Sequence, residues 1–137
     1  QAQIDRLQAK GPLVVYDAHS IRSVAPRLFA GELPQFNIGD NDGATCAPQL
    51  TQAVEAACAV SGDSLVVNGR FKGGWTTRHY GRPQVGVHAI QMELAQVTHL
   101  ASEAPPFAYD AGKAEALRRH LKEILTSIEA IALELKR

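Results

Sequence analysis

The chain has 137 residues, and its 14 Lys and Arg balance its 14 Asp and Glu, so it has no net charge at neutral pH. That balance argues against a nucleic-acid partner, which selects a basic domain, and no apolar run approaches the ~18 residues of a membrane span. With 45% hydrophobic and 20% charged residues the chain reads as a single domain with its own core, and its first ten residues lack the pattern of a signal peptide, so a cytoplasmic protein is expected.

The first predicted element is the end of a helix, Ile4-Asp5-Arg6-Leu7-Gln8-Ala9-Lys10, stopped at Gly11-Pro12. Leu13-Val14-Val15-Tyr16 follows as a short apolar strand, closed by the polar quartet Asp17-Ala18-His19-Ser20. Polar residues at the end of a strand in a parallel sheet mark a site. His19 is there either a hydrogen-bonded strand-end histidine or a ligand or catalytic group. Residues 21–45 read as a long loop rich in Pro, Gly, Asn and Asp, anchored by Leu28, Phe29, Leu33, Phe36 and Ile38. A loop of that length within a domain tends to be functional or disordered, and the apolar anchors favour function. Arg22 and Arg27 add cations to it. Pro48 opens a helix that runs to about Val60 before Ser61-Gly62, with Leu50, Val54, Ala57 and Cys58 at helical spacing. Cys46 and Cys58 form no CxxC pair, so both are expected as reduced thiols.

The richest stretch is residues 65–93. Two apolar runs, Leu65-Val66-Val67 and residues 85–94, predict buried strands. Between Asp63 and Glu93 there is no carboxylate, while Arg70, Lys72, Arg78 and Arg82 share the intervening loop with Gly69, Gly73, Gly74 and Gly81. Such a loop is either a set of solvated surface cations or a site for a small anion, since glycines admit close approach and arginines match carboxylates in pairs of hydrogen bonds. It is not a phosphate-binding P-loop, whose order of glycine, lysine and hydroxyl is missing. Strand alternation puts Glu93 with Val87, Ala89 and Gln91 on one face, and His88, Ile90 and Met92 on the other. Glu93 is therefore a general base or a structural acceptor for the loop's arginines. Of the other histidines, His79 could orient a carboxylate or cap the loop, His88 reads as structural, and His99 and His120 as surface residues. Ala104-Pro105-Pro106 is a linker, and Asp110 caps a last helix over residues 111–136 with an apolar stripe from Leu117 to Leu135.

Several runs together resemble the N-formylglutamate amidohydrolase family: Tyr16-Asp17-Ala18-His19-Ser20-Ile21-Arg22-Ser23, Leu33-Pro34-Gln35-Phe36-Asn37-Ile38-Gly39, Asn68-Gly69-Arg70-Phe71-Lys72-Gly73-Gly74, Thr77-Arg78-His79-Tyr80-Gly81 and Val87-His88-Ala89-Ile90-Gln91-Met92-Glu93-Leu94. The chain resembles the carboxyl-terminal half of such enzymes, whose amino-terminal half holds a His-containing metal motif not found here.

The resemblance implies an α/β fold, a mixed or parallel sheet flanked by helices as in zinc carboxypeptidases and aspartoacylases. It implies metal-dependent hydrolysis of N-formyl-L-glutamate to glutamate and formate in histidine degradation, a small acidic substrate whose two carboxylates suit the cationic loop. On that footing a divalent metal, zinc above others, is expected with His19 as one ligand and the others outside this chain. Glu93 becomes the candidate general base and Arg22 a stabiliser of the oxyanion, while Arg70, Lys72 and Arg78 hold substrate carboxylates with Asn68 and Tyr80 as hydrogen-bonding partners. The chain alone is then expected to be metal-free or weakly metal-binding and inactive, and a sheet surface left without its cover favours a homodimer. The alternative is a non-catalytic module that captures a small dicarboxylate or an acidic peptide through residues 68–82.

Overall fold

The computed structural model describes residues 1–135 as a four-stranded mixed sheet flanked by helices. Helix α1 (Ala2–Gln8) leads into strand β1 (Leu13–Ile21). Strand β2 (Phe36–Gly39), helix α2 (Pro48–Ala59), strand β3 (Leu65–Val67), the short helix α3 (Trp75–Tyr80), strand β4 (Val87–Ala95) and the long helix α4 (Ala111–Glu134) follow. The strands lie in the order β1-β4-β2-β3, with β1 parallel to β4, β2 parallel to β3, and β2 antiparallel to β4. The mixed α/β architecture is the one expected. The end predicted for the last helix, at about Lys136, lies outside the described residues.

Alternation along the strands divides the molecule. Phe36 and Ile38 of β2 and Ile90 and Met92 of β4 point to one face, where Leu50, Val54 and Cys58 of α2 and Leu117, Ile124 and Ile128 of α4 close over them. Each such side chain contributes roughly 1.5–3 kcal/mol by leaving water, so this face holds the fold together. Pro48 sits in the first turn of α2, where no backbone donor is needed. Asp110 caps α4, its side chain accepting the Lys113 backbone N–H at 3.0 Å. Burial pushes the thiols of Cys46 and Cys58 up to about 11 and about 12, so both are inert packing groups. His88, also on this face, is 4% exposed and its Nδ1 accepts the Ala47 backbone N–H at 3.1 Å. Burial lowers its pKa, as suits a structural histidine.

Three expectations need correction. Strand β1 does not stop at Tyr16 but continues through Asp17, His19 and Ser20 to Ile21, because its whole length pairs with β4. The stretch 21–45 is not all loop, since it contains β2, a buried four-residue strand too short to show alternation. The cationic stretch is not all loop either, since residues 75–80 coil into α3. Among the described residues no helix is long and apolar enough to cross a membrane.

Candidate active site

The floor of the site is the other face of β1 and β4. Their register sets Asp17 opposite Gln91 and His19 opposite Glu93, so four polar side chains occupy adjacent positions on one surface of the sheet. Topology makes them unequal. Strand β4 lies between β1 and β2, and Gln91 and Glu93 are 4% and 8% exposed. Strand β1 is at the edge, and the His19 side chain is 49% exposed. His19 Nε2 lies 2.8 Å from Asp17 Oδ1, which fixes the ring and leaves Nδ1 as its other nitrogen. Thr77 Oγ1 donates to the second Asp17 oxygen at 3.4 Å. Burial raises the pKa of Glu93, with the nearby His19 acting against it and Asp17 with it. A carboxyl in that setting holds a proton more readily than a free glutamate does. Beside it on β2, Asn37 donates to the Glu93 carbonyl at 3.1 Å and to that of Pro34 at 2.6 Å.

The roof is the glycine-rich stretch 69–76 together with α3. Asn68 takes a left-handed backbone, φ 53°, and its side chain ties the end of β3 to the end of β2. Its Nδ2 donates to Asp40 Oδ1 at 2.6 Å and its Oδ1 accepts the backbone N–H of Asp40 at 3.1 Å. The Asn41 backbone N–H donates to the Lys72 carbonyl at 2.6 Å. Gly39 is required beneath this crossing: a Cβ there would lie 2.6 Å from the Lys72 carbonyl carbon and 2.7 Å from the Gly73 nitrogen. Gly74 donates its N–H to Gln91 Oε1 at 2.6 Å, which moors the roof to the floor.

Between floor and roof lies a cleft of about 670 Å³. His19 and Glu93 line it from below, and Arg70, Lys72 and Arg78 from above, with Trp75 at its side. The three cations differ. Arg70 Nε donates to the Leu28 carbonyl at 2.6 Å and Lys72 pairs with Asp42 at 2.9 Å, whereas no partner holds the Arg78 guanidinium among the described residues. A cationic roof over a floor with a buried carboxyl can hold an acidic molecule and present its neutral part to Glu93.

The sequence-predicted residues therefore divide. His19, Glu93, Arg70, Lys72 and Arg78 share the cleft. Arg22 does not line it: the guanidinium donates to the Glu103 carbonyl at 2.6 and 3.2 Å and lies 5.9 Å from the Phe107 ring centroid. Since β1 runs on to Ile21, Arg22 is carried past the site. Asn68 is spent on the β2–β3 tie, and Tyr80 packs edge-on against Trp75 and His79; neither lines the cleft. Asp17, Gln91 and Thr77 were given no role by sequence reasoning. Strand alternation, which puts residues 17 and 91 on the faces of His19 and Glu93, is a signal for the first two, whereas Thr77 lies on α3 and has none.

Comparison with known proteins gives a consistent result. The family model described as N-formylglutamate amidohydrolase matches residues 1–100. An N-formylglutamate deformylase of Pseudomonas aeruginosa is 53% identical over 130 residues, 93% of this chain and 48% of the relative. Another from Pseudomonas putida is 46% identical over 134 residues, 96% of this chain and 50% of the relative. The chain thus spans about half the length of the curated relatives it matches. A crystal structure of N-formylglutamate amidohydrolase from Ralstonia eutropha JMP134 superposes with a TM-score of 0.75 at 26% identity, over 88% of this chain and 44% of that one.

Proposed function

Because the chain belongs to the N-formylglutamate amidohydrolase family, we propose that its cleft is the substrate-binding part of an enzyme that hydrolyses the formamide bond of N-formyl-L-glutamate to L-glutamate and formate. The observation that carries this reading is convergence: a proton-accepting carboxyl and an oriented histidine on the floor face three cations on the roof across one cleft. A substrate with two carboxylates and one neutral amide suits that division. Arg78, whose guanidinium has no partner among the described residues, takes one carboxylate, and Arg70 or Lys72 the other. Glu93 receives a proton from water as the water oxygen adds to the formyl carbon. It returns the proton to the amide nitrogen as the C–N bond breaks, releasing formate and the free amine. Its raised pKa brings proton uptake and release closer to neutral pH.

A divalent metal is implied by the family resemblance, and the residues present fit it in part. The carboxylate–histidine pair of Asp17 and His19 is the usual arrangement behind a metal-ligating imidazole, so His19 would be one ligand, through Nδ1. A catalytic zinc needs about three protein ligands, and among the described residues no three His, Cys, Asp or Glu side chains are grouped to hold an ion. The other ligands would come from the half of the relatives' length that this chain does not span. When bound, such a metal acidifies water and polarises the carbonyl.

The test is formate release from N-formyl-L-glutamate with added zinc or cobalt, by this chain and by a longer polypeptide that includes the amino-terminal half of a relative. Turnover in the longer polypeptide, lost by about 10²-fold or more in Glu93→Gln, is the expected result. Undiminished turnover in that variant removes Glu93 as base. No turnover in either polypeptide removes the substrate.

A further inference from the structure

The floor of the cleft is hostile to an anion at most of its positions. Asp17 and Glu93 are carboxyls, and the Nε2 of His19 is already taken by Asp17. Gln91 is the exception. Its carboxamide has no formal charge, is 4% exposed, and lines the cleft. Which end of the amide faces which way is settled by chemistry: the Gly74 N–H can only donate, so the atom 2.6 Å from it is the oxygen. Nε2 is thereby turned away from Gly74. It has no hydrogen-bond partner among the described residues, yet it is not among the polar atoms sealed from solvent without one. An unpaired donor on a nearly buried side chain is costly unless a ligand or water meets it.

From this geometry we infer that Gln91 is a specificity-determining residue, whose Nε2 donates a hydrogen bond to an oxygen of the bound acyl amino acid while its Oε1 holds Gly74 and sets the height of the roof. The inference rests on the reading of the cleft as a site for an N-acyl acidic amino acid, and adds which floor group recognises it. Held in place by the Gly74 bond, the amide needs little reordering to donate, so recognition is pre-organised. The oxygen it meets belongs either to a carboxylate or to the formyl group, and the two sources are separable by experiment.

The experiment is titration of the chain with N-formyl-L-glutamate and, separately, with L-glutamate, followed by calorimetry and by ¹⁵N NMR of the Gln91 side-chain amide. The expected result is a downfield shift of the Nε2 protons on binding. A shift with both ligands identifies a carboxylate oxygen, and one with N-formyl-L-glutamate alone identifies the formyl oxygen. Gln91→Met, which removes donor and acceptor without adding charge, and Gln91→Glu, which keeps the acceptor for Gly74 but replaces the donor with a carboxyl oxygen, should each weaken binding about tenfold or more, the scale of one hydrogen bond to a charged group, with Gln91→Met measuring the hydrogen bond free of added charge. The Gly74 amide proton should move out of the hydrogen-bonded range in Gln91→Met and remain within it in Gln91→Glu. Binding by the unaltered chain with no Nε2 shift, or with full affinity in Gln91→Glu, overturns the inference and leaves the reading of the cleft intact. Absence of binding for both ligands, in the unaltered chain and in the longer polypeptide, overturns both.

Discussion

The two faces of β4 are buried almost equally, and they do opposite things. On one, His88, Ile90 and Met92 disappear under α2 and α4. On the other, Gln91 and Glu93 disappear beneath a roof of backbone and cations that stands off by the width of a cleft. Burial by close packing gives stability. Burial by an overhanging loop gives a shifted pKa and an unpaired donor, and contributes little to holding the chain together. Neighbouring residues on one strand should therefore respond differently to substitution. Ile90→Ala opens a cavity in the core and is expected to cost about 2–5 kcal/mol, read by urea denaturation, with ligand affinity of the folded fraction unchanged. A loss of affinity matching the loss of stability would show that the two faces are not independent.

Gly39 is where the division should break down. It ends β2, opposite Gln91 in the ladder, and the Lys72–Gly73 peptide lies directly on it. Neither neighbour can yield, because both contacts are backbone. Gly39→Ala is expected to cost about 1–3 kcal/mol as overpacking and also to lift the roof, so that denaturation and ligand titration should both register it. Stability lost without any change in affinity would mean that the roof is set elsewhere.

Titration separates the faces by sign. His88 has a lowered pKa from burial, so the unfolded chain takes up that proton first. Its contribution is present above the ordinary value of 6.5 and is lost as the pH falls below it. Glu93 has a raised pKa, again chiefly from burial. Its contribution is present below the ordinary 4.5 and is lost as the pH rises through the folded value. Glu93→Gln should accordingly be more stable than the unaltered chain at pH 7 and no more stable near pH 4, and His88→Gln should lose less stability between pH 7 and pH 5. Melting temperatures across that range decide both, and a Glu93→Gln gain that persists at pH 4 would assign it to something other than ionisation.

The sequence already contained most of this division. Strands β1, β3 and β4 are visible as apolar runs, α2 through Pro48 and α4 through the Asp110 cap and its stripe, because each is written in local chemistry. Strand β2 is not, since Phe36-Asn37-Ile38-Gly39 is too short to alternate and is a strand only because β4 and β3 pair with it. Helix α3 has no side-chain cap and one buried residue, Thr77, so nothing within Trp75–Tyr80 announces it. In the site, charge was the legible signal and connection was not. Glu93 and the cations stand out by type, whereas Arg22 is drawn to a carbonyl 81 positions away and Asn68 to an aspartate 28 positions away. Gln91, an uncharged amide, carries no such signal until its partner Gly74 is known.

The smallest effect separates two cations on the same roof. Lys72 already pairs with Asp42, and both side chains are about half exposed. Such a pair contributes about 0–1 kcal/mol and weakens with salt, so Lys72→Ala should scarcely move the denaturation midpoint. Its removal also frees the Asp42 carboxylate near the cleft, which adds a modest repulsion toward an acidic ligand. Arg78 is exposed, with its guanidinium unpartnered among the described residues. Arg78→Ala should therefore leave stability within about 0.5 kcal/mol while weakening ligand binding by about tenfold or more, as one bidentate carboxylate contact would. Binding titrations at low and high salt distinguish the two, because the loss through Lys72 acts at a distance and should fade with salt, whereas the loss of a direct contact through Arg78 should fade less. Equal, salt-sensitive losses would make the roof a diffuse positive field rather than a surface with one dedicated arginine.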